Sequence, residues 1–129
     1  MEINVSNQGL NYEAKSSSGM ELSIIFGADK PVGDRTMNPV ELFVSSICMC
    51  IAAMLRKFCT EHELDAGEIK VWAETDWSPG DPMCPYLDIK ASVEGDFDER
   101  RKAAFLKVAE TCPVKMTMAE CHDVRLEIV

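Results

Sequence analysis

The strongest constraint in this 129-residue chain is an apolar segment opening at Asn38-Pro39. It continues as Val40-Glu41-Leu42-Phe43-Val44-Ser45-Ser46-Ile47-Cys48-Met49-Cys50-Ile51-Ala52-Ala53-Met54-Leu55. Three signals start a helix here. Asn38 suits the N-cap, Pro39 the first helical position, and Glu41 sits where its carboxylate reaches back to the cap. The pattern predicts a helix to about Leu64, stopped by Asp65-Ala66-Gly67. Its middle is apolar nearly all round, so it must be covered on more than one side. A small sheet covers one side only, and a second copy of the chain is expected on the other, giving a homodimer.

Short strands precede this helix. Ile3 and Val5, Leu10 and Tyr12, and Leu22 to Phe26 are separated by the turn compositions Asn7-Gln8-Gly9 and Ser16-Ser17-Ser18-Gly19. A loop from Gly27 to Met37 carries Lys30, Pro31, Gly33 and Arg35. After the helix, Ile69, Val71 and Ala73 alternate with Lys70, Trp72 and Glu74, and Leu87, Ile89, Ala91 and Val93 alternate with Asp88, Lys90, Ser92 and Glu94. A rigid loop, Ser78-Pro79-Gly80-Asp81-Pro82-Met83-Cys84-Pro85, lies between them. A second helix is expected over about Asp98 to Thr111, with Phe105, Val108, Ala109 and Cys112 on one face. A short irregular or helical turn follows Pro113, then a last strand through Val124, Leu126 and Ile128. The order β-β-β-α-β-β-α-β implies an α+β fold in a single domain, residues 1–129.

A hydrophobic content of 47% and a charged content of 27% are ordinary for a globular protein. The net charge of −9 argues against nucleic acid, whose binders need a basic face, and disfavours an anionic membrane surface. The apolar run from about Leu42 to Leu55 is shorter than the ~18 residues that span a bilayer. Met1-Glu2-Ile3-Asn4-Val5 shows no basic-then-apolar leader. A soluble cytoplasmic protein without membrane attachment is the expectation.

Six cysteines without an export signal read as reduced thiols rather than a disulfide framework. Cys48 and Cys50 are two apart on a helix and point about 200° away from each other, so they form neither a redox pair nor a metal clamp. Cys59 reads as core, and Cys84 as an oxidisable loop residue. Cys121-His122 beside Cys112 is at most a partial metal set, so neither metal nor cofactor is expected. His62 reads as a solvated helix end.

Cys50 and Cys112 admit two readings. Free cysteine is among the most buried residue types, so both serve as core residues on the first. On the second they are a dithiol centre. A thiol with a pKa of about 8.5 is only a few per cent thiolate at neutral pH, so it needs a cation or hydrogen-bond donor. Its sulfenic acid then needs a resolving thiol. Lys30 and Arg35 are the candidate cations, and each is otherwise a solvated loop residue. Glu41 could orient a cation, though the cap already employs it. Trp72 and Trp77 could line an apolar pocket, although sheet packing accounts for Trp72 equally.

Asn-Pro-x-Glu-Leu opening a buried helix, a cysteine eleven residues after that proline, alternating strands and Ala-x-x-Cys-Pro-Val near the end together resemble the OsmC/Ohr family. The resemblance covers roughly Gly27 to Val129. It implies an antiparallel sheet wrapped on a long buried central helix in an intertwined homodimer. It implies cysteine-dependent reduction of organic hydroperoxides, with Cys50 peroxidatic, Cys112 resolving, and a dithiol reductant as partner. The alternative is a non-catalytic homodimer that holds a small apolar ligand. The sequence departs from the family's pattern twice. The catalytic glutamate directly after the proline is Val40 here, with Glu41 one helical step, about 100°, away. The activating arginine nine residues before the proline is Lys30, with Arg35 the nearest arginine. Lysine is a point charge without arginine's bidentate fork.

Overall fold

The computed structural model describes residues 1–25, 31–78 and 80–129, and of Val32 the backbone only. The chain forms two compact units, Met1–Phe43 and Val44–Val129.

The first unit holds an antiparallel sheet of β1 (Ile3–Gln8), β2 (Asn11–Ser16) and β3 (Glu21–Ile25), with β2 central. The register pairs Val5 with Ala14 and Ala14 with Leu22, so these side chains share one face. Gly9 supplies the positive φ (61°) of the first hairpin and Gly19 (83°) that of the second. None of the described side chains of these strands is fully buried; Ile3, Val5 and Leu22 are about half exposed or more.

α1 (Pro39–Glu61) begins at the end of this unit and continues through the second. Its start is the expected capping box: the Glu41 backbone N–H donates to Asn38 Oδ1 (2.9 Å), and the Asn38 N–H donates to Glu41 Oε2 (2.7 Å). Its end differs from expectation. Glu63 adopts a left-handed φ of 50°, and the Leu64 and Glu63 N–H groups donate to the Cys59 and Thr60 carbonyls. This is a Schellman stop three residues early. It was hidden because a glutamate stands where glycine usually takes the left-handed conformation. By length and composition α1 passes for a membrane span (23 residues, mean hydropathy 1.7), longer than the apolar run suggested. Ile47, Ile51, Leu55 and Cys59, at i, i+4, i+8 and i+12, form a buried stripe that packs it into the core.

The second unit adds β4 (Ile69–Glu74) and β5 (Asp88–Val93), an antiparallel pair with Ile69 opposite Val93 and Ala73 opposite Ile89. Ile69, Val71, Ile89 and Val93 lie against the α1 stripe, as the alternation predicts. α2 (Glu99–Glu110) starts at Asp98, whose Oδ1 accepts from the Arg101 N–H (2.8 Å). Phe105 fixes α2 against α1 by edge contacts with Phe58 (5.9 Å between ring centres) and Phe97 (5.1 Å). α3 (Pro113–Glu120) is a regular helix where an irregular turn was the other expectation.

The last strand is not formed: residues 121–129 pair with no described strand. Val124, Leu126 and Ile128 are 83%, 90% and 90% exposed. Alternation fixes the two faces of a strand but supplies no edge for it to pair with.

Candidate active site

Two helix ends bring the thiols together. Cys50 lies midway along α1, one residue before the buried Ile51, which turns it toward the edge of the core stripe. Cys112 is the N-cap of α3 and follows the C-cap of α2, Thr111. Pro113 forces the new start, since it takes the first helical position and has no N–H to lose there. Phe105 and Ala109 anchor α2 so that Cys112 enters the core, where it is fully buried.

Cys50 packs against the buried cluster that holds Cys112, and both thiols are reduced. Burial pushes the Cys50 thiol above its ordinary value, and the hydrogen bond to Cys112 pushes it further. The Val114 backbone N–H, in the first turn of α3, donates to Cys50 and pulls it back.

Val114 was missed as a functional group. The signal was present: a proline after Cys112 opens a helix, and the first-turn N–H groups of a helix have no partner within it.

Lys30 falls outside the described residues. Arg35 is exposed in the first unit, just before α1, and Glu41 is held in the capping box of the same unit. Cys48 points to the opposite side of α1 from Cys50, into an open groove with Trp72, Val71 and Met49. Burial raises its thiol as well, and its own backbone N–H lowers it. Cys59 is core. Cys84 Sγ lies 3.1 Å from Thr75 Oγ1 and donates to the Tyr86 carbonyl (3.3 Å). His62 is exposed, with its ring stacked on Phe58. Trp72 is 42% exposed, and its Nε1 donates to Glu74 Oε1. No group of three or more His, Cys, Asp or Glu suited to a metal occurs among the described residues.

A family model described as OsmC-like protein matches residues 32–127. Among solved structures, the chain is similar to the OsmC-like protein of Mycoplasma pneumoniae, at 15% identity and a TM-score of 0.67. That match covers 92% of this chain and 86% of the other. It is also similar to the organic hydroperoxide resistance protein OhrB of Bacillus subtilis, at 20% identity and a TM-score of 0.54, covering 93% of both chains. A third is an organic hydroperoxide resistance protein, OsmC, of Legionella pneumophila. It has 15% identity and a TM-score of 0.57, covering 93% of this chain and 90% of the other. At these identities the structures establish a shared fold. No curated protein matches significantly.

Proposed function

The chain belongs to the OsmC-like protein family, and from that premise we propose that it is a thiol-dependent organic hydroperoxide reductase of oxidative stress defence. The observation that carries this reading is that Cys50 packs against the buried cluster holding Cys112, whose thiol pushes the Cys50 thiol up. Cys50 thiolate attacks one peroxide oxygen, the O–O bond breaks, and the other oxygen leaves with a proton as the alcohol. Cys50 is then a sulfenic acid. The Cys112 sulfur attacks it, water leaves, and a Cys50–Cys112 disulfide forms. A dithiol donor returns two electrons and two protons. Burying Cys112 fits the resolving role, since a sealed thiol waits for its neighbour rather than for solvent oxidants.

The thiolate must be favoured against burial. The Val114 N–H donates toward it, and we assign the remaining task to Lys30 or Arg35, with Glu41 available to orient the cation only by giving up its cap. The raised Cys50 thiol, with Val40 and Lys30 where the family has its glutamate and arginine, favours the second reading, a non-catalytic protein that holds a small apolar ligand. Consumption of cumene hydroperoxide with dithiothreitol as reductant decides between them. Reductase function predicts turnover that Cys50→Ser abolishes; binding alone predicts no turnover by the unaltered chain.

We propose further that the protein works as a soluble, cytoplasmic homodimer. Only six hydrophobic residues are buried among the described residues, while Phe43 and Met49 on α1 are 45% and 62% exposed. The apolar face of β1–β3 and the alternating segment at 124–128 are similarly open. A partner covering these surfaces would bury over ~2,000 Å², as in permanent dimers. Sedimentation at micromolar concentration should give a dimer, and a stable folded monomer would sink this assembly.

A further inference from the structure

Among the described residues, the Val114 N–H is the one group that pulls the Cys50 thiol down against burial. Arg35 belongs to the first unit, so a nearer cation has to come from the elements that surround Cys50 in the second.

The basic residues of α1, β4 and β5 are engaged. Arg56 donates to the Ala66 and Gly67 carbonyls, and Lys57, Lys70 and Lys90 hold Glu61, Glu68 and Glu74. On α2, Lys102 holds Glu99 and Arg101 lies over the Phe58 ring. Arg100 and Lys107 are exposed, about 140° and 200° round that helix from the buried Phe105.

Lys115 is different. It is half-buried in the first turn of α3 and makes no ion pair among the described residues. It directly follows Val114, whose N–H reaches Cys50. Side chains of a helix lean toward its N-terminus, here the Cys112–Pro113 junction. Lys115 also lines an apolar cavity with Ile51, the residue after Cys50, and with Ala109, whose carbonyl accepts from the Cys112 N–H (3.2 Å). Its side chain thus stands on the side of α3 that α1 and α2 face. Glu110, at the same cavity, is the carboxylate that competes for it. An ammonium on a flexible four-carbon stem keeps to the water boundary until a negative charge appears nearby.

We propose that Lys115 is a second thiolate-stabilising cation, beside the one assigned to the loop before α1. When Cys50 gives its proton to solvent, the Lys115 ammonium turns in along the cavity wall and pairs with the sulfur. This pairing rests on the reductase reading for its purpose, but the thiolate it stabilises is measurable without peroxide.

The pH profile of alkylation by neutral iodoacetamide, read separately at Cys50 and Cys48 by peptide mass spectrometry, tests it. Lys115→Met keeps the apolar stem and removes the charge, so the Cys50 midpoint should move up by about half a unit or more. Lys115→Arg keeps the charge and should hold the midpoint of the unaltered chain. Cys48, on the opposite side of α1, should keep its profile in both variants. An unmoved Cys50 midpoint in Lys115→Met, an equal rise in Lys115→Arg, or an equal rise at Cys48 would overturn the proposal. A chain that shows the Lys115→Met shift but turns over no cumene hydroperoxide would support the pairing and sink the reductase reading alone.

Discussion

Cys48 and Cys50 stand two residues apart on one helix and meet different surroundings. Cys50 turns toward α2 and α3, where it finds a second thiol and a backbone N–H. Cys48 turns toward an open groove beside Trp72, and only its own backbone N–H pulls its thiol back down. Burial raises both thiols, so burial alone does not distinguish them. What differs is the partner, which the junction of α2 and α3 supplies to one side of α1 only. A cysteine's surroundings here follow from helical phase, and a shift of two residues, about 200°, would put Cys48 where Cys50 stands.

The comparison breaks most readily by substitution. Cys50→Ser should remove all peroxide consumption, whereas Cys48→Ser should keep the rate within about twofold, since surface-side changes without a partner are usually mild. Equal losses in a coupled peroxidase assay would mean the two thiols are not distinct. Between the same two faces, stability should divide as well. Leu55→Ala, in the buried stripe, should cost about 2–5 kcal/mol in urea unfolding. Met49→Ala should cost far less within one chain, so a comparable loss would place Met49 in a buried interface with a second copy.

The helical phase is itself held by the cap. Asn38→Ala should cost about 1 kcal/mol by losing the bond to the Glu41 N–H, and an unchanged unfolding midpoint would show that the box does not set the start of α1. The smallest effect concerns titration. Because the Cys112 hydrogen bond raises the Cys50 thiol, Cys112→Ala should move the pH profile of Cys50 alkylation by iodoacetamide to lower pH. In the unaltered chain, alkylation should rise only as pH climbs past the ordinary thiol range. A profile that stays in place or moves to higher pH in Cys112→Ala would remove the contact from the account.

Features set by local chemistry were legible in the sequence. The Asn38–Glu41 box, the start of α2 near Asp98 and the alternation of β4 and β5 depend on neighbours a few residues away. The end of α1 was not, because it rests on Glu63 adopting a conformation that its side chain disfavours. The strand expected at Val124, Leu126 and Ile128 failed for a different reason: alternation sets two faces, but a strand also needs an edge to pair with. The site divides likewise. Spacing left Cys50 and Cys112 open between core and dithiol, and the family resemblance paired them. The Val114 donor followed only once Pro113 was seen to start a helix. Arg35 belongs to the loop before α1, where sequence distance says nothing about reach to Cys50, and Glu41 to the first turn of α1, where the cap holds it.

The central claim is that Cys50 and Cys112 act as one redox centre. Peptide mapping by mass spectrometry, after one equivalent of cumene hydroperoxide and rapid blocking of free thiols, tests it most directly. The account predicts a Cys50–Cys112 disulfide as the main product, with Cys48 and Cys59 still reduced. Cys50 and Cys112 recovered as free thiols, or oxidation confined to Cys84 and Cys121, would contradict it.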